Sequence, residues 1–252
     1  MNRKQKLALL GIFTLLCIIV MFAFKPIPQS PEYHHFADIR ELLGIKNFAN
    51  VISNLPFLVA GIAGLALLPK ANAAKSILTT YGLLFAGVLL TGFGSAYYHL
   101  SPDNDTLVYD RVPMTIVFMS FLAATIAETI NVKWGAILLL PLIVIGVGSV
   151  LYWHFTELRG MGDLRLYGLV QFYPVLFIPL VLVLFPFPKA RAGLRELAWV
   201  VVWYAIAKLL EHFDSQIYSL GHFISGHSLK HLAAVMSAWY LIKVFKIRHI
   251  QA

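Results

Sequence analysis

Apolar residues in this chain fall in long unbroken runs, and short polar stretches separate them. Eight such runs can be marked, at about 7–24, 48–68, 76–100, 106–130, 133–153, 166–185, 196–213 and 227–244. Each is near the roughly 17–25 residues that a helix needs to cross a bilayer. A membrane barrel would alternate polar and apolar positions; these runs do not, and backbone groups in lipid must otherwise be satisfied inside helices. The pattern predicts an all-α integral membrane helical bundle of eight spans.

The connectors carry their own signals. Residues 25–47 are the longest polar segment, opened by Pro26, Pro28 and Pro31, and 36–43 is expected to form a short amphipathic helix at the interface. Lys189-Ala190-Arg191 is expected to be a basic turn, and Gly221 and Gly226 to break the chain before the last span. The spacing of Ala60 and Gly64 suits close helix packing. The first run follows Arg3, Lys4 and Lys6, as a signal peptide would. It is long for the apolar part of one, and no small-x-small cleavage site precedes Lys25-Pro26, so a retained anchor is expected. The chain then divides into residues 1–46, anchor and linker, and residues 47–252, a seven-span domain.

Composition sharpens this picture. Hydrophobic residues make up 59% of the 252 and charged ones 13%, against about half and a quarter in a soluble domain. The net charge of +8 could suggest nucleic acid. There is no soluble basic region to bind it, and in a membrane protein basic residues gather in cytoplasmic loops, so no nucleic-acid partner is expected. The single cysteine, Cys17, excludes an intramolecular disulfide and a cysteine metal site.

Placing both termini in the cytoplasm puts Arg3, Lys4, Lys6, Lys70, Lys75, Lys133, Lys189, Arg191, Arg195, Lys243, Lys246 and Arg248 inside, with only Glu128 and Glu196 against them. Glu32, Asp38, Asp103, Asp110, Glu157, Asp163 and Asp214 then lie outside.

On the same side fall the residues with the most chemistry to offer. Ser95 and His99 are one helical turn apart, as are His227 and His231, and Asp110 opens the fourth span. Ionisable groups within membrane spans are costly and usually functional. Three histidines with an open fourth position are the ligand set of a catalytic zinc site. Lys230 precedes the second histidine of the late pair and no Glu follows the first, so the zinc-protease helix is excluded. Asp110 is then the candidate base and Ser95 the candidate oxyanion donor. From spacing alone, an unmetallated histidine cluster stays open, as does a pairing of Asp110 with Arg111 or Lys230. His34, His35, His154, His222 and His249 read as interface residues. Glu211, His212 and Asp214 read as a cluster that backs the ligands or is solvated. A transporter would want polar groups near the midplane, whereas these sit at one end.

Ser95-x-x-x-His99, Asp110 eleven residues on, and His227-x-x-x-His231 on the last span resemble the alkaline ceramidase family. That family belongs to a larger group of seven-span metal hydrolases that includes the adiponectin receptors. Ile52-Ser53-Asn54-Leu55 is similar to the motif that opens the family's first helix, and the resemblance covers roughly 47–245. It implies zinc on His99, His227 and His231, assistance from Ser95 and Asp110, and hydrolysis of the amide of a ceramide-like membrane lipid. A zinc-containing receptor or scaffold without turnover is the alternative. The family also carries an acidic calcium-binding cluster ahead of its first core helix. Here that stretch offers Asp38, Glu41 and Asn47 but not the full pattern, which leaves calcium, and a sphingosine-type head group, open.

Overall fold

The computed structural model describes residues 1–186 and 192–251, so the expected basic turn at 189–191 lies outside the described residues. Among the described residues there is no strand. The helices are α1 (Arg3–Ala23), α2 (Phe48–Ile52), α3 (Leu55–Leu67), α4 (Lys75–Leu100), α5 (Asn104–Thr129), α6 (Val132–Leu158), α7 (Arg165–Leu184), α8 (Leu194–His212), α9 (Asp214–Ser219) and α10 (Gly226–His249), with short 3-10 turns at Pro31–His34 and Leu68–Lys70. Among the described residues, six segments are long and apolar enough to cross a membrane: α1, Phe48–Lys70, α4, α5, α6 and α7. The chain is an all-α membrane bundle. The two further long helices, α8 and α10, are less apolar because they carry Lys208, Glu211, His227, Lys230 and His231.

Two departures from the expected pattern bear on the site. Residues 36–43 form no helix. They run extended into a tight turn closed by two backbone hydrogen bonds between Leu42 and Ile45, at 3.2 and 3.0 Å. The second apolar run is not one helix but two: α2 stops at Ile52 and α3 restarts at Leu55, with Pro56 in its first turn. Proline fits there because the first amides of a helix have no intrahelical acceptor. The break leaves Ser53 and Asn54 at a helix junction, where their side chains can reach another helix. Elsewhere the ends move by a few residues. α6 continues through His154 and Glu157 to Leu158, and α10 carries the basic residues Lys246 and Arg248 that were expected in a tail.

The chain forms two compact units. The first comprises Met1–Gln29, Ala73–Leu84 and the described part of 115–191. Its core is Leu10, Met119, Leu122, Ile126, Val170, Phe177, Ile178 and Val181. α1 is tied to α7 by the pairing of Thr14 Oγ1 with Tyr173 Oη at 2.7 Å, and Arg165 donates to Phe24 O at 2.8 Å.

The second unit comprises Ser30–Asn72, Phe85–Met114 and the described part of 192–252, and it holds every residue of the candidate site. Small residues set its packing. A Cβ on Gly61 would meet Leu89 at 2.6 Å, and one on Gly64 would meet the Phe85 ring at 2.4 Å; Ala60, on the same helix, is fully buried. The close packing expected at 60 and 64 is therefore present. Gly226 does not break a helix but begins one: a Cβ there would lie 2.3 Å from Leu210 O.

Candidate metal centre

His99 sits in the last turn of α4, and His227 and His231 on the first two turns of α10. α4 and α5 meet at Gly94, where an added Cβ would fall 1.9 Å from Tyr109 O. This backbone contact puts Ser95, one residue later on α4, near the carboxylate of Asp110, one residue later on α5. On the other side, the N-cap Ser225 accepts from Ser228 N at 3.1 Å and starts α10 at a fixed point. Asp214 holds the same end: its Oδ1 accepts from His227 N at 2.7 Å, while its Oδ2 accepts from Ala37 N at 2.9 Å.

The three imidazoles converge. His99 Nε2 lies 3.2 Å from His231 Nε2 and 3.3 Å from His227 Nε2, and the potential ligand atoms all lie within 4.8 Å of one another. Two nitrogens each about 2.05 Å from one ion at a tetrahedral angle are about 3.3 Å apart, so the spacing fits a common metal. His99, His227 and His231 are 1%, 5% and 5% exposed.

The chemistry of His231 supports the same reading. Ser53 Oγ donates to Asn50 O at 3.0 Å, so its proton is already placed, and it lies 2.7 Å from His231 Nδ1. With that proton on Asn50 O, Ser53 Oγ accepts from Nδ1–H, the tautomer in which the Nε2 lone pair faces the other two rings. A ligating histidine is oriented in this way by the partner on its second nitrogen. Asn50, fully buried, ties the pieces together: its Oδ1 accepts from Ser228 Oγ at 2.7 Å and its Nδ2 donates to Asp38 O at 3.2 Å.

Sequence reasoning missed several of these groups. In the sequence Ser53 stands out only within the motif Ile52-Ser53-Asn54-Leu55, and Asn50 and Phe36 carry no signal of a role at the site. The Phe36 ring lies 4.7 Å from the His99 ring and 4.4 Å from the His227 ring. The Glu211, His212 and Asp214 cluster comes apart. Glu211 takes Lys230 at 2.6 Å and Lys208 at 2.7 Å, Asp214 holds backbone, and His212 is exposed. Lys230 is thus paired with Glu211. Of the histidines read as interface residues, His34 is half-buried, with Nδ1 3.0 Å from Tyr98 Oη and Nε2 3.0 Å from Asn104 Oδ1. Its imidazole is pushed toward the neutral form chiefly by burial.

The stretch offered for calcium does not fit that ion. Both Asp38 oxygens are taken by Arg40, at 2.8 and 2.7 Å, Glu41 is exposed, and the Asn47 amide donates to His99 O at 2.8 Å. Burial pushes the Asp38 carboxyl up, but the Arg40 hydrogen bonds outweigh it and hold the group below the usual carboxylate range.

The chain matches no curated protein. Residues 44–252, which begin just ahead of α2 and take in each of the three histidines, match the model of the family described as Ceramidase, and the chain belongs to that family.

Proposed function

We propose that the chain is a zinc-dependent membrane hydrolase that cleaves the amide bond of ceramide or a related lipid amide. Family membership carries the reaction class, and the convergence of three buried imidazoles on one point carries the metal. His99, His227 and His231 would hold the ion. Bound there, zinc supplies Lewis acidity and brings the pKa of a coordinated water to about 7.

Asp110 is assigned the proton. Its carboxylate, 9% exposed, takes one from the attacking water as the new carbon–oxygen bond forms, and delivers it to the nitrogen as the carbon–nitrogen bond breaks. Ser95, near that carboxylate, is the donor assigned to the developing oxyanion. The products are a fatty acid and an amine. The low exposure of the site suits a substrate whose acyl chain stays among apolar helices while only the amide reaches the ligands. We place the site toward the outer face and both termini in the cytoplasm, from the basic residues on the opposite ends of the helices. Residues 47–252 form the hydrolase domain, and 1–46 an anchor and linker.

The test is a lipid-amide assay on purified protein in lipid discs, with zinc measured on the same samples. Asp110→Asn and Ser95→Ala should lose turnover and keep the metal. A wild-type chain that holds zinc yet hydrolyses no lipid amide is the scaffold instead, and unchanged turnover in Asp110→Asn removes the proposed base.

A further inference from the structure

In a membrane bundle, exposed apolar side chains on the helices simply face lipid. Off the helices they need another explanation. Two loops of the second unit carry them. The turn before α2 presents Ile39, Leu42 and Leu43, and the loop before α10 presents Leu220 and Phe223; Leu43, Leu220 and Phe223 are 84%, 87% and 86% exposed. The loops touch: Arg40, from the first, donates to Phe223 O at 2.8 Å and lies over the Tyr218 ring.

The backbone makes the pattern pointed. Leu43 has φ 55° and Gly44 φ 75°, the double left-handed signature of a type I′ turn. Asn or Gly suits the first of these positions; leucine, whose Cβ crowds the following carbonyl oxygen and whose side chain offers no local hydrogen bond, is disfavoured there. His222, in the other loop, is also left-handed, with φ 57°. A strained turn thus displays a leucine that nothing in the described protein covers.

The surroundings say what does cover it. Leu43 lies five residues before α2 begins and Phe223 three before α10 begins, so both tips sit where helices of the membrane bundle end. Exposed Lys46 flanks the turn, a cation at headgroup depth. The same two segments lead inward: seven residues before Leu43, Phe36 lies on two ligand rings, and four after Phe223 comes His227.

We propose that the turn at 42–45 and the loop at 220–224 form a rim that dips into the bilayer surface and passes the lipid amide to the three histidines. The transfer role rests on the hydrolase reading; the insertion does not.

Two measurements test it. In a Cys17→Ser background, Leu43→Cys and Phe223→Cys carrying an environment-sensitive fluorophore are placed in phosphatidylcholine vesicles. The emission should shift blue and be quenched by a lipid bearing a nitroxide high on its acyl chain. Quenching by aqueous iodide instead overturns the rim. Leu43→Asn is the second variant, because Asn accepts the left-handed backbone. Its unfolding midpoint should hold or rise while the ratio of turnover on a bilayer-borne lipid amide to that on a short-chain soluble amide falls about tenfold. An unchanged ratio overturns the transfer role. Absence of turnover on both substrates by the wild type overturns the hydrolase reading and the transfer role with it, and the fluorescence still decides insertion.

Discussion

Ser53 tests whether a hydroxyl that never touches the metal sets the strength with which it is held. In Ser53→Ala, His231 Nδ1–H loses its acceptor in a site where His231 is 5% exposed. Removing the partner behind a ligating histidine typically costs 10–100-fold in metal affinity, or about 1.4–2.7 kcal/mol, in line with about 1–3 kcal/mol for an orphaned buried donor. The local geometry indicates the lower end of that range. Asn54 Nδ2 lies 3.4 Å from the same nitrogen, and Asn54 Oδ1 is buried with no partner among the described residues. Rotating that amide would supply a new acceptor at the expense of the 2.8 Å bond from Nδ2 to Asn50 O. Ser53→Ala alone should therefore lose about 10-fold in zinc affinity, and Ser53→Ala with Asn54→Leu about 100-fold, while Ser53→Thr stays close to wild type. Competition with a chromogenic chelator measures all three. Wild-type affinity in the double variant would show that Ser53 does not orient the ring, and the case for an inward-facing Nε2 would go with it.

Three further outcomes follow from the packing and the charges. Gly94→Ala drives a Cβ to 1.9 Å from Tyr109 O, backbone against backbone, so α4 and α5 must separate; a loss of about 3 kcal/mol or more is expected, and a thermal midpoint near wild type would contradict the contact. Glu211→Gln leaves Lys208 and Lys230 facing each other without their shared carboxylate. With Lys208 side chain 39% exposed, a loss of about 2 kcal/mol is expected rather than the full cost of a buried pair; adding Lys230→Met should recover part of it, and no recovery would mean the two do not interact. Hydrogen bonds from Arg165 hold the Asp163 carboxyl below its usual range, against burial, which pushes it up. Its contribution is thus complete above the unfolded carboxylate pKa of about 3.9 and is lost as pH falls through the lower folded value. Stability measured by denaturant between about pH 5 and pH 2 should fall less steeply in Asp163→Asn, and an unchanged slope would assign the acid sensitivity elsewhere.

How much of this was legible in the sequence depends on how local the signal is. The long helices were, because run length and apolar content are properties of the segment itself, and α4 ends at Leu100, where the run at 76–100 does. The region just before α2 was not. Residues 36–43 have an amphipathic composition, but Phe36 is drawn onto the His99 and His227 rings, and the Asp38 main chain is claimed by Asn50. Long-range contacts of that kind override local helical preference. The break between α2 and α3 was hidden for the opposite reason: Ser53 and Asn54 sit in an apolar run, and only Pro56 marks the restart.

The site divides along the same line. Four-residue spacing puts His227 and His231 on one helix face, as it puts Ser95 and His99 on another, and the fold brings the three histidines within 4.8 Å of one another. What spacing could not show is which nitrogen of the His231 ring points inward. That is decided by a hydroxyl about 178 positions away in the chain from His231, placed by a helix break whose purpose is visible only in three dimensions. The same holds for Asp214, read as part of a polar cluster that backs the ligands or is solvated: its one carboxylate joins Ala37 N, next to Phe36, to His227 N. A chain that needed only three ligands could have met them with rigid helices. This one fastens an irregular segment to the first turn of the helix that carries His227 and His231, so that movement of the segment at 36–47 cannot leave His227 untouched.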